Sequence, residues 1–214
     1  VTQLQTAGNN ISYGLTPDCD YPADLHHEKD GTITLTIDAE EIPTKSINLA
    51  FAKNVIACTA IARELDLGWD SIKDRIATFL PPKGRCEVIN NGTFTIIDDT
   101  YNANLESTVA AIEYLKAFSG NGQRIFVFGD MFELGDTAHE EHQIVADTCA
   151  NLNIDYTVFL GKNFGKVKTS GYKYENLEAL EKSGFPEVLQ DKLKEATILI
   201  KGSRGMKLEG LLDL

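Results

Sequence analysis

The sequence predicts an α/β protein in which helices cover both faces of a mostly parallel β-sheet. In the second half of the chain, short continuous apolar runs alternate with longer segments of helical periodicity. Continuous apolar runs are typical of strands buried on both faces. The chain has 214 residues, 43% of them hydrophobic, which is enough for one large domain or for a domain with a smaller additional part.

The elements of the opening part are less regular. Residues 33–37 alternate apolar and polar side chains, so they predict a half-buried antiparallel strand. Residues 49–65 are rich in alanine, with apolar residues at helical spacing, which predicts a helix packed closely on a sheet. Asp70 is the expected N-cap of a second helix over 71–79, and Pro81-Pro82 ends that helix.

The segment Pro81-Pro82-Lys83-Gly84-Arg85 is the best candidate for a domain boundary. It is stiff and polar, and it falls between the two helices and a new run of strands. We therefore expect one part over residues 1–80, a linker over 81–85 and a domain over 86–214.

Strands and helices alternate in this domain. Strands are predicted at 93–97, 125–128, 156–160 and 197–200; helices are predicted at 105–118 with Asn104 as N-cap, at 137–151, and in one or two segments between 177 and 193. Open parallel sheets bind their ligands beyond the carboxyl ends of their strands. Three polar loops occupy such positions, at 98–104, 129–135 and 201–205.

The loop at 98–104 combines two carboxylates, a phenol and two amides just before a helix. This setting suits hydroxyl groups or an anionic ligand. We expect Asp99 to accept a hydrogen bond from a sugar hydroxyl. An alternative is that Asp98 and Asn104 only end the strand and cap the helix.

The other two loops predict recognition of charged groups. Asp130 and Glu133 are candidate acceptors for an ammonium group or a metal-bound water, with ordinary loop acids as the alternative. Lys201, Ser203 and Arg204 suit a carboxylate or a phosphate, because charge-assisted hydrogen bonds hold such anions. The alternative for them is a basic start of a C-terminal helix.

Charge and hydropathy exclude several classes of function. The net charge of −12 opposes nucleic-acid binding, which depends on neutralising phosphates. No apolar run reaches the roughly 20 residues of a membrane span, and the first residues do not resemble a secretion signal. We therefore expect a cytoplasmic protein without membrane insertion.

Neither the histidines nor the cysteines predict a metal site. His139-Glu140-Glu141-His142 is not the H-E-x-x-H motif, and its position at a helix start predicts a solvated face. His26-His27 is expected in a solvated loop. The cysteines are widely spaced, without a C-x-x-C pair, which predicts reduced, structural thiols; they are Cys19, Cys58, Cys86 and Cys149.

Four separated segments occur in the order typical of one enzyme family. They are 83–85 (Lys-Gly-Arg), 97–104 (Ile-Asp-Asp-Thr-Tyr-Asn-Ala-Asn), 128–135 (Phe-Gly-Asp-Met-Phe-Glu-Leu-Gly) and 200–206 (Ile-Lys-Gly-Ser-Arg-Gly-Met). Together they resemble the C-terminal signatures of the Mur ligase family. The resemblance is strong from Phe51 onward and looser before it.

This resemblance implies part of a three-domain, ATP-dependent ligase of peptidoglycan biosynthesis. The implied member joins D-alanyl-D-alanine to UDP-N-acetylmuramoyl-tripeptide through an acyl phosphate, with ATP and Mg²⁺. Residues 86–214 would form its Rossmann-like C-terminal substrate-binding domain, and residues 1–80 the end of its central α/β ATPase domain. The implied partners are the two substrates and the missing N-terminal and central portions of the same protein.

The resemblance also implies roles for individual residues. Arg85 and Asp99 match a pair that reaches the ribose and phosphate edge of ATP, and Asn54 matches an asparagine near adenine. The expected substrate-binding residues, with cations suited to the dipeptide carboxylate, are Tyr101, Asn102, Asn104, Asp130, Glu133, Lys201, Ser203 and Arg204.

The sequence departs from the family in three ways. The usual His-Asn-x-x-Asn pattern is Lys53-Asn54-Val55-Ile56-Ala57 here, which removes one amide near adenine, and Leu105 replaces the usual proline after Asn-Ala-Asn. No G-x-x-x-x-G-K-[ST] occurs, so the phosphate cradle is absent, along with the family's carboxylated lysine and magnesium ligands. We therefore expect a fragment that is inactive alone, without a metal site or a tightly bound cofactor.

Two other functions are open. A related Mur or folate-polyglutamate ligase would share the chemistry but use another acceptor, although the loop at 101–104 argues against it. A stand-alone nucleotide- or peptide-binding module would have no catalytic activity. A dinucleotide dehydrogenase is disfavoured because no G-x-G-x-x-G follows a strand.

Overall fold

The computed structural model describes residues 10–79, 82–90, 92–117, 122–152, 154–185 and 193–212. It divides into two compact units, residues 1–80 and residues 81–214. None of the helices in these described ranges combines the length and the apolar character that crossing a membrane requires.

The first unit contains a four-stranded sheet and two helices. Its strands, in their order across the sheet, are β1 (Tyr13–Gly14), β2 (Tyr21–His27), β3 (Ile33–Ile37) and β4 (Glu40–Pro43). The helices are α1 (Leu49–Glu64) and α2 (Trp69–Thr78). Strands β2, β3 and β4 are antiparallel, and β1 pairs parallel to β2.

The core of the first unit lies between β3 and α1. Ile33, Leu35 and Ile37 alternate inward and pack in one cluster with Val55 and Ile56 of the helix. The strand and the helix predicted from these periodicities are confirmed. Asn48 begins the helix, because its side-chain oxygen accepts the Phe51 N–H at 3.1 Å.

Two local predictions in this unit were wrong. Helix α2 begins at Trp69 with Gly68 as its N-cap, so Asp70 lies in the first turn, where its carboxylate still suits the helix dipole. His26 and His27 end strand β2 instead of lying in a loop, although both are exposed. Only one side chain of β2 is buried, so the sequence shows little apolar pattern there.

The second unit is built on a six-stranded sheet. In chain order its strands are β5 (Glu87–Asn90), β6 (Thr95–Asp99), β7 (Arg124–Gly129), β8 (Tyr156–Leu160), β9 (Tyr172–Tyr174) and β10 (Thr197–Lys201). Across the sheet the order is β5-β6-β10-β7-β8-β9. All neighbours are parallel except β5, which pairs antiparallel to β6.

Helices cover this sheet on both faces, which confirms the predicted α/β fold. They are α3 (Leu105–Ala117), α4 (Ala138–Asn151) and α5 (Leu177–Lys182). On one face, Ile198 and Ile200 of β10 pack in a cluster with Leu180 of α5. On the other, Phe128 lies beside Phe164, whose ring contacts His142 of α4 edge-on.

The predicted strands β7, β8 and β10 are found to within one residue at each end, while two other strands were missed. Both β5 and β9 are short edge strands with mostly exposed side chains, so they lack the apolar run of a central strand. Strand β6 lies at 95–99 instead of 93–97, in register with the central strand. Of the predicted helical stretch at 177–193, residues 186–192 lie outside the described residues.

Candidate functional site

Three loops meet at the carboxyl edge of the second unit's sheet. Because β10 lies between β6 and β7, the loop that follows it is placed between the other two. We call these segments the β6 loop (98–104), the β7 loop (129–135) and the β10 loop (201–205). The three loops that the sequence singled out are therefore neighbours in the fold.

Lys201 at the end of β10 is buried and binds the β6 loop. Its ammonium group donates to Asp99 Oδ2 at 2.6 Å and to the backbone oxygen of Asn102 at 3.0 Å. The Lys201 side chain is 2% exposed, so its ammonium group is bound by these two acceptors inside the protein and does not face solvent. This corrects the expectation that Lys201 holds a ligand's carboxylate.

Two further polar residues determine the shape of the β6 loop. Asp98 Oδ1 accepts the backbone N–H of Thr100 at 3.1 Å and its hydroxyl at 2.7 Å. Asn104 Oδ1 accepts the Ser107 N–H at 2.8 Å, which caps helix α3. For Asn104 the geometry therefore favours the capping alternative over a contact with substrate.

Two guanidinium groups lie close to the exposed ring of Tyr101 in the β6 loop. Arg85 Cζ is 4.0 Å from the centroid of the Tyr101 ring, and Arg204 Cζ is 5.5 Å from the same centroid. All three residues are exposed, and neither arginine forms a salt bridge with any described residue. The two cations are therefore available to an anionic ligand.

Arg85 reaches this ring because the segment before β5 packs on the β6 loop. The Gly84 carbonyl accepts the Tyr101 N–H at 3.0 Å, and Gly84 has a φ of +76°. A side chain at this position would bring Cβ to 3.1 Å from Tyr101 N. Residues 82–85 of the expected linker therefore belong to the second unit.

Asp130 in the β7 loop has a structural role. The residue is 3% exposed, and its two carboxylate oxygens accept the backbone N–H groups of Asn163 and Phe164, each at 2.9 Å. This corrects the expectation that Asp130 receives a ligand's ammonium group. Glu133, in contrast, is exposed, with a φ of +63°, and is the carboxylate that this loop presents to solvent.

Ser203 joins the β10 loop to the β7 loop. Its hydroxyl oxygen accepts the Phe132 N–H at 2.8 Å, and its own backbone N–H donates to the Asp130 carbonyl at 3.2 Å. The residue is buried, so we correct its expected contact with substrate to a contact within the protein. Beside it, the Phe132 ring covers Gly205, where a Cβ would lie 2.6 Å from a ring carbon.

His142 was expected on a solvated helix face, but the structure places it in the interior. His139 is exposed as expected, but His142 is fully buried and its Nε2 accepts the Met131 N–H at 3.0 Å. The reason is helical phase: α4 begins at Ala138, so residue 142 lies one turn later on the face towards the β7 loop. The buried apolar residues at 145, 146 and 149 mark the same face.

The four cysteines are free, but they differ in exposure. Burial raises the pKa of the Cys149 thiol to about 12. Burial is also the main cause of the raised pKa of the Cys86 thiol, with the Asp99 charge contributing. Cys58 is exposed, whereas Cys149 is buried.

Asn54 belongs to the first unit, where it lies on the exposed side of α1. Across the described parts of both units, no group of three or more His, Cys, Asp or Glu side chains is placed to hold a metal ion. We assign no magnesium ligand to this chain.

Comparison with known proteins agrees with this architecture. A family model described as "Mur ligase, glutamate ligase domain" matches residues 84–204. The UDP-N-acetylmuramoyl-tripeptide–D-alanyl-D-alanine ligase of Buchnera aphidicola (subsp. Baizongia pistaciae) is 33% identical over 164 residues, which cover 75% of this chain and 35% of that enzyme. The enzyme of the same name from Haemophilus influenzae is 29% identical over 203 residues, or 90% of this chain and 44% of the enzyme.

Solved structures share the fold. MurF from Acinetobacter baumannii superposes with a TM-score of 0.79 at 23% identity, covering 92% of this chain and 45% of that one. MurF from Thermotoga maritima, in complex with ADP, has a TM-score of 0.75 at 22% identity, covering 92% and 46%. The chain thus spans less than half the length of each of these relatives.

Proposed function

Since the chain belongs to the Mur ligase family, we propose that it is the C-terminal part of an ATP-dependent ligase that joins D-alanyl-D-alanine to UDP-N-acetylmuramoyl-tripeptide. In the complete enzyme, ATP with Mg²⁺ supplies the activation of the tripeptide carboxylate. The amine of D-alanyl-D-alanine then forms the new amide bond in a step of cytoplasmic peptidoglycan synthesis. This chain's own contribution is to bind and orient the dipeptide and one edge of the nucleotide.

This proposal is carried by Arg85 and Arg204, which lie beside Tyr101 and form no salt bridge with a described residue. The dipeptide carries a carboxylate and the nucleotide carries phosphates, and guanidinium groups recognise both kinds of anion through paired hydrogen bonds. We assign Arg204 to the dipeptide carboxylate, because it lies in the β10 loop beside the β7 loop. Arg85, which lies in the segment before β5, is assigned to the nucleotide.

The remaining exposed residues complete a dipeptide site with two charged ends. Glu133 is assigned to the dipeptide's ammonium group, because it is exposed and none of the described residues forms an ion pair with it. Asn102 is exposed in the β6 loop and supplies an amide to the backbone of the dipeptide. Asp99 is largely buried against Lys201, and we assign its carboxylate to a ribose hydroxyl at the edge of the site.

The nucleotide phosphates need groups from another part of the protein. The 214 residues contain no G-x-x-x-x-G-K-[ST] segment, whose backbone N–H groups and lysine hold a triphosphate. We assign residues 1–80 to the end of the central ATP-binding domain, with Asn54 near adenine. The chain by itself should therefore hydrolyse no ATP at a ligase-like rate.

Substrate binding to the chain tests the assignment directly. D-Alanyl-D-alanine should shift the amide NMR signals of Tyr101, Glu133 and Arg204, and Arg204→Ala should weaken its binding. Loss of a charged hydrogen bond costs about 1.5–3 kcal/mol, or roughly ten- to a hundredfold in affinity. Arg124→Ala is the matched control, because Arg124 pairs with Asp155 at the opposite end of β7.

Two outcomes would contradict the proposal. If glutamate shifts these signals and D-alanyl-D-alanine does not, the chain belongs to a ligase with another acceptor. If Arg204→Ala in the complete enzyme raises the KM for ATP and leaves the KM for the dipeptide unchanged, the β10 loop serves the nucleotide instead.

A further inference from the structure

The β7 loop is held on its inner side by three different elements. Successive backbone N–H groups of Asp130, Met131 and Phe132 donate to the Leu160 carbonyl, to His142 Nε2 and to Ser203 Oγ. These acceptors come from β8, α4 and the β10 loop. A loop whose consecutive donors are all used in this way has little freedom to change the direction of its exposed side chains.

Of these three acceptors, the one from His142 is an imidazole nitrogen, whereas the other two are oxygens. Its Nδ1 lies 2.5 Å from the Ala138 carbonyl, which can only accept, so Nδ1 carries the proton. Nε2 is then free of a proton and accepts from Met131. The hydrogen bonds at both nitrogens thus require one neutral tautomer, and Phe164 holds the ring edge-on at a centroid distance of 4.5 Å.

The carboxylate nearest to this imidazole does not compete for Nε2. Asp130 Oδ1 lies 3.6 Å from Nε2, beyond hydrogen-bond distance, and the Asp130 oxygens already accept two backbone N–H groups. The contact between His142 and the β7 loop is therefore the hydrogen bond from Met131. Two residues after Met131, the chain turns through the left-handed conformation of Glu133, which is exposed.

We propose that His142 is a positioning residue of the acceptor site, acting through Met131 to fix the direction in which the β7 loop presents Glu133. It touches no ligand, since its side chain is fully buried. The inference rests on the proposed function in one respect, the identity of the ligand that Glu133 receives. Loss of the Met131 hydrogen bond should loosen the loop and lower affinity for the dipeptide, while the nucleotide side is unaffected.

Two amide substitutions separate this role from general packing. In His142→Asn, the short amide can still reach the Ala138 carbonyl but not Met131. In His142→Gln, the longer amide places an oxygen near the position of Nε2 and restores an acceptor. His139→Gln is the control, because His139 lies on the exposed side of the same helix.

Steady-state kinetics of the complete ligase should distinguish these variants by their KM values. We expect His142→Asn to raise the KM for D-alanyl-D-alanine about tenfold, with the KM for ATP within about twofold, and His142→Gln to recover most of the loss. An unchanged dipeptide KM in folded His142→Asn would overturn the inference. Equal increases in both KM values without recovery in His142→Gln would also overturn it, because they indicate a general loss of structure.

Amide hydrogen exchange gives a second readout that does not depend on the substrate. In the 214-residue chain, protection of the Met131 amide should fall at least about tenfold in His142→Asn and remain in His142→Gln. Full protection in His142→Asn would refute the positioning role. If the wild-type enzyme fails to use D-alanyl-D-alanine but Met131 loses protection as expected, the proposed function fails and the positioning role of His142 stands.

Discussion

The ammonium group of Lys201 lies 2.6 Å from the carboxylate of Asp99, although 102 positions separate the two residues in the chain. The contact joins the ends of two adjacent parallel strands, so each residue neutralises a charge that the other would leave buried. The polar residues at this carboxyl edge fall into two groups by exposure. Lys201, Ser203, Asp130 and His142 hold the loops together, while Arg85, Tyr101, Glu133 and Arg204 face solvent.

Breaking the Lys201–Asp99 pair should destabilise the second unit strongly. Lys201→Met leaves a carboxylate with little exposure and no countercharge, so we expect a loss of about 3–5 kcal/mol in the free energy of unfolding. Lys182→Met is the control, because Lys182 and Glu178 form an exposed pair with side chains 73% and 71% accessible. Urea denaturation of both variants checks this, and equal losses would contradict it.

Gly161→Ala should be much more harmful than Gly165→Ala. Gly161 has a φ of +122°, and an added Cβ would lie 2.3 Å from Asp130 Cγ, so the side chain that anchors residues 163 and 164 would have to move. At Gly165, an added Cβ meets nothing within 4 Å. We expect a cost of about 1–3 kcal/mol for the first substitution and less than about 0.5 for the second, measured by thermal unfolding.

Glu133→Gly should separate stability from ligand binding. Glycine removes the cost of the left-handed backbone at this position, so the free energy of unfolding should rise by about 0.5–1 kcal/mol. Glu195→Gly is a matched control: Glu195 has a φ of +60° and precedes β10, at the opposite edge of the sheet. Both variants should gain stability, but only Glu133→Gly should weaken D-alanyl-D-alanine binding, by roughly tenfold or more.

Calorimetric titration of the two glycine variants distinguishes the outcomes. Equal affinity of both variants for the dipeptide would remove Glu133 from the binding site. A loss of stability in Glu133→Gly would show that the carboxylate makes a contact within the folded protein.

The cysteines should differ in their rates of alkylation. Burial keeps Cys149 protonated, with its pKa at about 12, so iodoacetamide should modify it far more slowly than exposed Cys58 in the native protein. Peptide mass spectrometry after a time course at about pH 8.5 measures both rates. Similar rates in the native state, with equally fast reaction after denaturation, would contradict the buried position of Cys149.

The same pKa shift predicts a dependence of stability on pH. The folded-state pKa of Cys149 lies above the ordinary thiol value of 9.0, so folding favours the protonated thiol. Its contribution is fully present below about pH 9 and is lost as the pH rises towards about 12. Cys149→Ala should therefore show a flatter decline in the free energy of unfolding across this window.

Sequence periodicity was sufficient to predict the elements that show a clear apolar pattern. The central strands β7, β8 and β10 are continuous apolar runs, and α4 has clear helical spacing, so their bounds were predicted closely. Edge strands β5 and β9 expose most of their side chains and lack such a run. Local patterns also carry no information on strand order, which only pairing determines.

The residues of the candidate site could be located in advance, but their partners could not. The rule that ligands bind at the carboxyl ends of parallel strands indicated three loops that the structure brings together at one edge of the sheet. Whether a polar residue there faces a ligand or the protein depends on which strands are adjacent, so the inward positions of Lys201 and Ser203 were not predictable. His142 was expected on an exposed first turn, but it lies on the same helix face as the buried residues Val145, Ala146 and Cys149.

The central place of β10 makes assembly of the sheet depend on the segment that is synthesised last among its strands. Until residues 197–201 are available, β5-β6 and β7-β8-β9 are two separate ribbons, each with an open hydrogen-bonding edge. A nascent chain on the ribosome must therefore keep those edges apart from other chains until the final strand enters between them. Closure of this gap by long-range pairing is expected to be the slow folding step, and it is the same event that brings the three loops together.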